Sequence, residues 1–134
     1  MMQLAKNVCS YCLENNVSKL NIINLGDNIH GILRVSDLQA NQSGIVTATI
    51  EVANLLGKFL EVIAQNIPSV LYYHVPESNH TQIRPLGTKA SELFTEDVEY
   101  IITEFLKVKF KDIEGISIVT GKLGESFIPV PIYD

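Results

Sequence analysis

The sequence predicts an α/β fold: a layered, mostly parallel sheet with helices on both faces. Segments of helical and of strand character alternate along the chain in the order α-β-α-β-α-β-β, and strands separated by helices favour a parallel sheet. The two densest clusters of polar residues lie just after the first two strand-like runs, where open α/β sheets carry their functional loops. At 134 residues and 46% apolar content, the chain supports one domain, residues 1–134, with a real core.

The first helix is predicted over Met2–Asn16, with Leu4, Val8, Tyr11 and Cys12 on one side. Leu20–Leu25 (LNIINL) is a short strand that stops at Gly26-Asp27, and a loop follows from Gly26 to Val35. Ser36-Asp37-Leu38-Gln39 has the form of a capping box and starts a second helix running to about Asn66, with a break or bend expected near Gly44. Ile45, Val46, Thr49, Val52, Ala53, Leu56, Phe59, Leu60 and Ile63 keep its helical period, and Pro68 ends it. Val70–Val75 (VLYYHV) is dense in β-formers and gives the second strand, with Tyr72 and Tyr73 as sheet or core aromatics and His74 as a packed or edge histidine within it.

A polar loop, Pro76–Gly87, leads toward a third helix over Thr95–Lys111. Glu96, Asp97 and Glu99 in its first turn and Lys107, Lys109 and Lys111 in its last set charge against the helix dipole at both ends. Ile116–Thr120 is a third strand. Phe127–Ile132 is a fourth, confined to an edge by Pro129 and Pro131, which cannot donate to a ladder.

The net charge of −5 argues against a protein that coats nucleic acid through backbone charge, and leaves room for an enzyme acting on phosphates with bound cations. Cys9 and Cys12 form a C-x-x-C pair, with no second cluster to complete a zinc site and no preceding strand to make a redox motif. They read as packed helix residues, and reduced thiols fit an intracellular protein. Without a run of about twenty apolar residues or a basic-then-apolar leader, the expectation is a cytoplasmic protein with no membrane partner.

The two loops carry the chemistry. Leu25-Gly26-Asp27-Asn28-Ile29-His30-Gly31 offers a carboxylate suited to a hard divalent cation. Pro76-Glu77-Ser78-Asn79-His80-Thr81 offers an amide oxygen for a second cation and an imidazole able to supply a proton. Gly26-Asp27 after one strand and Asn79-His80 after the next resemble two of the successive blocks of calcineurin-like metallophosphoesterases. The strings LGDNIHG and YYHVPESNH look like a phage-associated branch of that family, and Asp97–Phe110 is similar to a helix of that branch.

The resemblance covers roughly residues 10 to 134 and implies half of a metallophosphoesterase-like fold. It assigns Asp27 as the carboxylate bridging two metals, Asn79 as a ligand of the second, and His80 as the group that orients phosphate or protonates the leaving oxygen. Arg34, Arg84 and His30 would contact substrate phosphate. Manganese-like ions and a phosphorylated or nucleic-acid substrate come with it.

The pattern also departs from the family. Ser78 stands where the Gly of Gly-Asn-His belongs, and the Asp-x-His and Gly-His-x-His blocks are absent. The expectation is thus a partial or degenerate phosphoesterase, completed by a partner segment or by self-association. The alternative is a non-catalytic binding or scaffolding module of the same fold.

Overall fold

A computed structural model describes residues 1–29, 43–76, 78, 80–83, 89, 96–121 and 127–131. Among these residues the order is α1 (Met2–Glu14), β1 (Lys19–Asn24), α2 (Ile45–Ala64), β2 (Ser69–His74), α3 (Val98–Phe110) and β3 (Ile116–Thr120). The strands form a wholly parallel sheet, β1-β2-β3, with β2 in the centre. Leu20, Val70 and Ile116 sit in register at one end of the ladder, and Asn24, His74 and Thr120 at the other. The α/β class and the parallel sheet hold.

Side chains alternate along each strand, and one row faces the core: Leu20 and Ile22, Val70 and Tyr72, Ile116 and Ile118. The same cluster takes Ala5, Cys9 and Cys12 from α1, Leu56, Phe59, Leu60 and Ile63 from α2, and Ile102, Leu106 and Phe110 from α3. All three described helices therefore share one face of the sheet, where helices on both faces were expected. On the other face, Asn21 binds the carbonyl of Pro131 at 3.2 Å, which draws the 127–131 segment across it. Tyr72 and Tyr73 point to opposite faces and both are buried, as a central parallel strand requires.

Several boundaries move for identifiable reasons. In α1 the buried stripe is Ala5, Cys9 and Cys12, while Leu4 (56% exposed) and Tyr11 (65%) face solvent. The helix is rotated by one position from the expected stripe, because small residues allow it to lie close against α2. Cys9 reaches the Val62 carbonyl of α2 at 3.8 Å, and burial first, with Cys12 second, pushes its thiol pKa up, as suits a packed cysteine. The helix stops at Asn15, and Asn16 takes a left-handed φ of 54°.

The second helix begins at Ile45 with Gly44, in extended conformation, as its N-cap, so the expected break at Gly44 is a true boundary. The Ser36–Gln39 capping box lies outside the described residues. The third helix starts at Val98 because Asp97 caps it, its carboxylate accepting from the Glu99 amide. Residues 127–131 pair with no strand among the described residues, since Pro129 and Pro131 remove the donors a ladder needs. No described helix is long and apolar enough to cross a membrane.

Candidate functional site at the strand ends

Each core-facing strand row turns polar at its carboxyl end: Leu20-Ile22 is followed by Asn24, Val70-Tyr72 by His74, and Ile116-Ile118 by Thr120. These three polar residues are ladder neighbours. The start of α3 lies over this layer. His74 and Glu99 are both 0% exposed, and His74 Nε2 lies 2.7 Å from Glu99 Oε2. The other ring nitrogen faces the Tyr72 hydroxyl at 3.3 Å. Asn24 Nδ2 donates to that hydroxyl oxygen at 2.7 Å, which frees the phenolic proton for His74 Nδ1. The donor and acceptor inventory thus assigns Nε2 as the protonated nitrogen of His74, donating to Glu99. Burial, the largest influence, raises the Tyr72 pKa far above its ordinary value, so this phenol stays a donor.

The Glu99 carboxylate then reaches the loop after β1. Oε1 accepts from the Asn28 backbone amide at 2.7 Å, and Oε2 from the Asn28 side-chain amide at 2.8 Å. Asn28 and Asn24 exchange side-chain hydrogen bonds at 3.0 and 3.1 Å, and Asn24 Oδ1 accepts from Gly26 N at 3.0 Å. Gly26 (φ 81°) and Asp27 (φ 54°) are successive left-handed residues, and the bonds of Asn24 to Gly26 on one side and of Glu99 to Asn28 on the other hold that tight turn.

Asp97, the N-cap of α3, holds the second loop. It accepts from Thr81 Oγ1 at 2.5 Å, Ser78 N at 3.1 Å and Ser78 Oγ at 3.1 Å. Ser78 and Thr81 are also hydrogen-bonded to each other through their hydroxyls. Burial pushes the Asp97 pKa up, and the bonds from Thr81, the Glu99 amide and Ser78 pull it back. Backbone bonds from Ile83 N to Glu96 O (2.7 Å) and Val98 N to Thr81 O (3.3 Å) stitch the same loop to the helix start.

Of the residues expected from sequence, the structure brings together Asp27 and His80. The His80 backbone amide donates to Asp27 Oδ1 at 3.2 Å, and the two residues line one cleft of about 310 Å³ with Asn28 and Ile29. Asp27 offers a hard carboxylate oxygen of the kind a divalent ion takes, and it is exposed to a prospective ligand. Asn79, His30, Arg34 and Arg84 lie outside the described residues. Among the described residues no group of three or more His, Cys, Asp or Glu side chains is arranged to hold a metal.

Sequence reasoning missed Asn24, Asn28, Asp97 and Glu99. The acids were visible, but as an ordinary helix start. What marked the layer was the shared endings Asn24, His74 and Thr120, one polar residue closing each core-facing row.

The chain is 32% identical over 135 residues to the SPbeta prophage-derived uncharacterized protein YonJ of Bacillus subtilis (strain 168). The match takes in 100% of this chain and spans 30% of that protein's length. The phage likeness read from sequence is supported at that level. No family model matches the chain, and no solved structure does.

Proposed function

We propose that this chain carries part of a binuclear-metal phosphoesterase centre of the calcineurin-like kind, with a phosphate ester linked to phage nucleic-acid or nucleotide metabolism as substrate. Asp27 supplies a carboxylate to both cations, Asn79 an amide oxygen to the second, and His80 orients the phosphate or protonates the leaving oxygen. Manganese-like ions, if held there, would supply an activated water and neutralise phosphate charge.

One observation carries this reading: the turn after β1 and the loop after β2 meet, Asp27 against His80, in an open cleft beyond the strand ends. A ladder-aligned parallel sheet places those two turns side by side, the arrangement phosphate-binding α/β proteins use. The donors named are too few for a complete pair of ions, each of which takes about six ligands. The proposal therefore assigns the chain weak metal binding and draws the remaining donors from other segments. The prophage protein it resembles extends well beyond the matched region.

The non-catalytic alternative is favoured by the closed hydrogen bonding of His74, Glu99, Asn28, Asn24 and Tyr72, whose polar groups are directed at one another. An acid–imidazole pair spent in this way acts as scaffold.

Manganese titration followed by electron paramagnetic resonance, together with hydrolysis of bis(p-nitrophenyl) phosphate, separates the readings. The expected result is weak Mn²⁺ binding that disappears in Asp27→Ala, with no turnover by this chain alone. Equal binding by the wild type and Asp27→Ala overturns the metal reading. Turnover that vanishes in Asp27→Ala shows a complete enzyme in place of a partial one.

A further inference from the structure

We infer that the start of α3 is a double clamp: Glu99 fixes the Asp27 turn and Asp97 fixes the His80 loop, making these two carboxylates the positioning residues of one site. What the site holds rests on the phosphoesterase reading; the clamp itself does not.

The residue that Glu99 grips is the neighbour of Asp27. Asn28 presents its backbone amide to one oxygen of the carboxylate and its side-chain amide to the other, at 2.7 and 2.8 Å. Two bonds to one rigid group fix the plane of the peptide joining Asp27 to Asn28, and with it the direction of the Asp27 side chain. Glu99 is itself oriented by His74 at 2.7 Å. Asp97 grips both sides of His80: Ser78 two residues before it and Thr81 one residue after it. The two clamps are joined by the bond from Glu99 N to Asp97 Oδ1 at 3.0 Å.

A shift at either clamp therefore moves one partner of the His80–Asp27 bond relative to the other. A buried ion pair replaced whole by apolar residues of similar volume often loses no stability, so stability alone does not account for these carboxylates. Their value here is geometric, since a ligand site tolerates displacement of only about 0.5 Å.

The test is amide hydrogen exchange by NMR on the whole chain. Glu99→Gln places an NH₂ where one acceptor oxygen stood. It is expected to speed exchange at Asn28 and also at His80, which Glu99 does not touch, by at least about tenfold, the scale of one lost bond to a charged acceptor. Core amides such as Leu60 and Leu106 keep their protection. Asp97→Asn is expected to speed exchange at His80 as well. Thr81→Val removes the hydroxyl that bonds Asp97 and Ser78 and serves if Asp97→Asn does not fold. Glu104→Gln, on the exposed side of the same helix, changes neither amide.

The inference is overturned if His80 exchange is unchanged in these variants, or rises only together with the core amides. Adding Mn²⁺ to the wild type keeps the two readings apart. If no resonance near Asp27 broadens, the metal reading fails, while the clamp still stands or falls on the exchange rates.

Discussion

His74→Phe is the perturbation that probes the polar layer most directly. The substitution removes the donor to Glu99 Oε2 and the acceptor of the Tyr72 hydroxyl, in a place where both His74 and Glu99 are fully buried. Glu99 keeps its two bonds from Asn28, so its charge is not stranded. The loss is then one bond to a charged acceptor, about 1.5–3 kcal/mol, plus one unsatisfied buried hydroxyl, about 1–3 kcal/mol. A total of roughly 2.5–6 kcal/mol is a large part of the stability of an ordinary domain, about 5–15 kcal/mol.

Glu99→Leu removes the acceptor of all three donors and should cost at least as much. The double variant loses the His74–Glu99 bond only once, so its cost should fall short of the sum of the singles by about 1.5–3 kcal/mol. Urea unfolding measures all four proteins. The chain contains no tryptophan, so tyrosine fluorescence with far-ultraviolet circular dichroism is the signal. Additivity within about 0.5 kcal/mol would refute the coupling and with it the assigned hydrogen-bond pattern.

Two further outcomes follow from single positions. Burial raises Asp97 above its ordinary value of 3.8, so the folded state holds this proton more tightly than the unfolded chain. Its favourable contribution is fully present below that ordinary value and is lost as pH rises through the folded one. Urea midpoints from about pH 3 to 7 should show the wild type losing stability relative to Asp97→Asn as pH rises, and a trend of opposite sign rejects the burial argument. Gly115 has a φ of 82°, and a Cβ there would sit 2.8 Å from the Pro68 carbonyl oxygen. Gly115→Ala should therefore cost about 1–3 kcal/mol and lower the melting temperature by several degrees, whereas an unchanged melt would mean that the turn before β3 relaxes freely.

Much of the architecture was legible because strong local signals agreed with one another. The dense β-formers of VLYYHV, the period from Ile45 to Ile63 and the stop at Pro68 each point to the element found there. The face of α1 was misread because hydropathy favours Leu4 and Tyr11, while close packing on α2 favours the smaller Ala5, Cys9 and Cys12. The 127–131 segment was over-read as a strand, since β-formers there compete with two prolines. That Asp27 and His80 meet was legible because strand–turn positions in parallel sheets converge. Glu99 was not, because its bonds reach Asn28, 71 residues away, and nothing local distinguishes a tether from a helix start.

Magnitudes decide what the acids at the start of α3 do. Acidic residues against a helix dipole contribute about 0.3–1 kcal/mol each when exposed, and salt screens that term. Asp97 and Glu99 are buried and, among the described residues, receive seven hydrogen bonds between them, four at Asp97 and three at Glu99, including those from Ser78, Thr81, Asn28 and His74. Bonds to charged acceptors contribute about 1.5–3 kcal/mol apiece and are far less exposed to screening. Burial offsets part of that gain at Asp97, but it is the bonds and not the dipole that set where each carboxylate points. The dipole accounts for an acidic residue anywhere in the first turn. Only the tether accounts for carboxylates two residues apart, one turned to each loop, beneath the cleft where Asp27 meets His80.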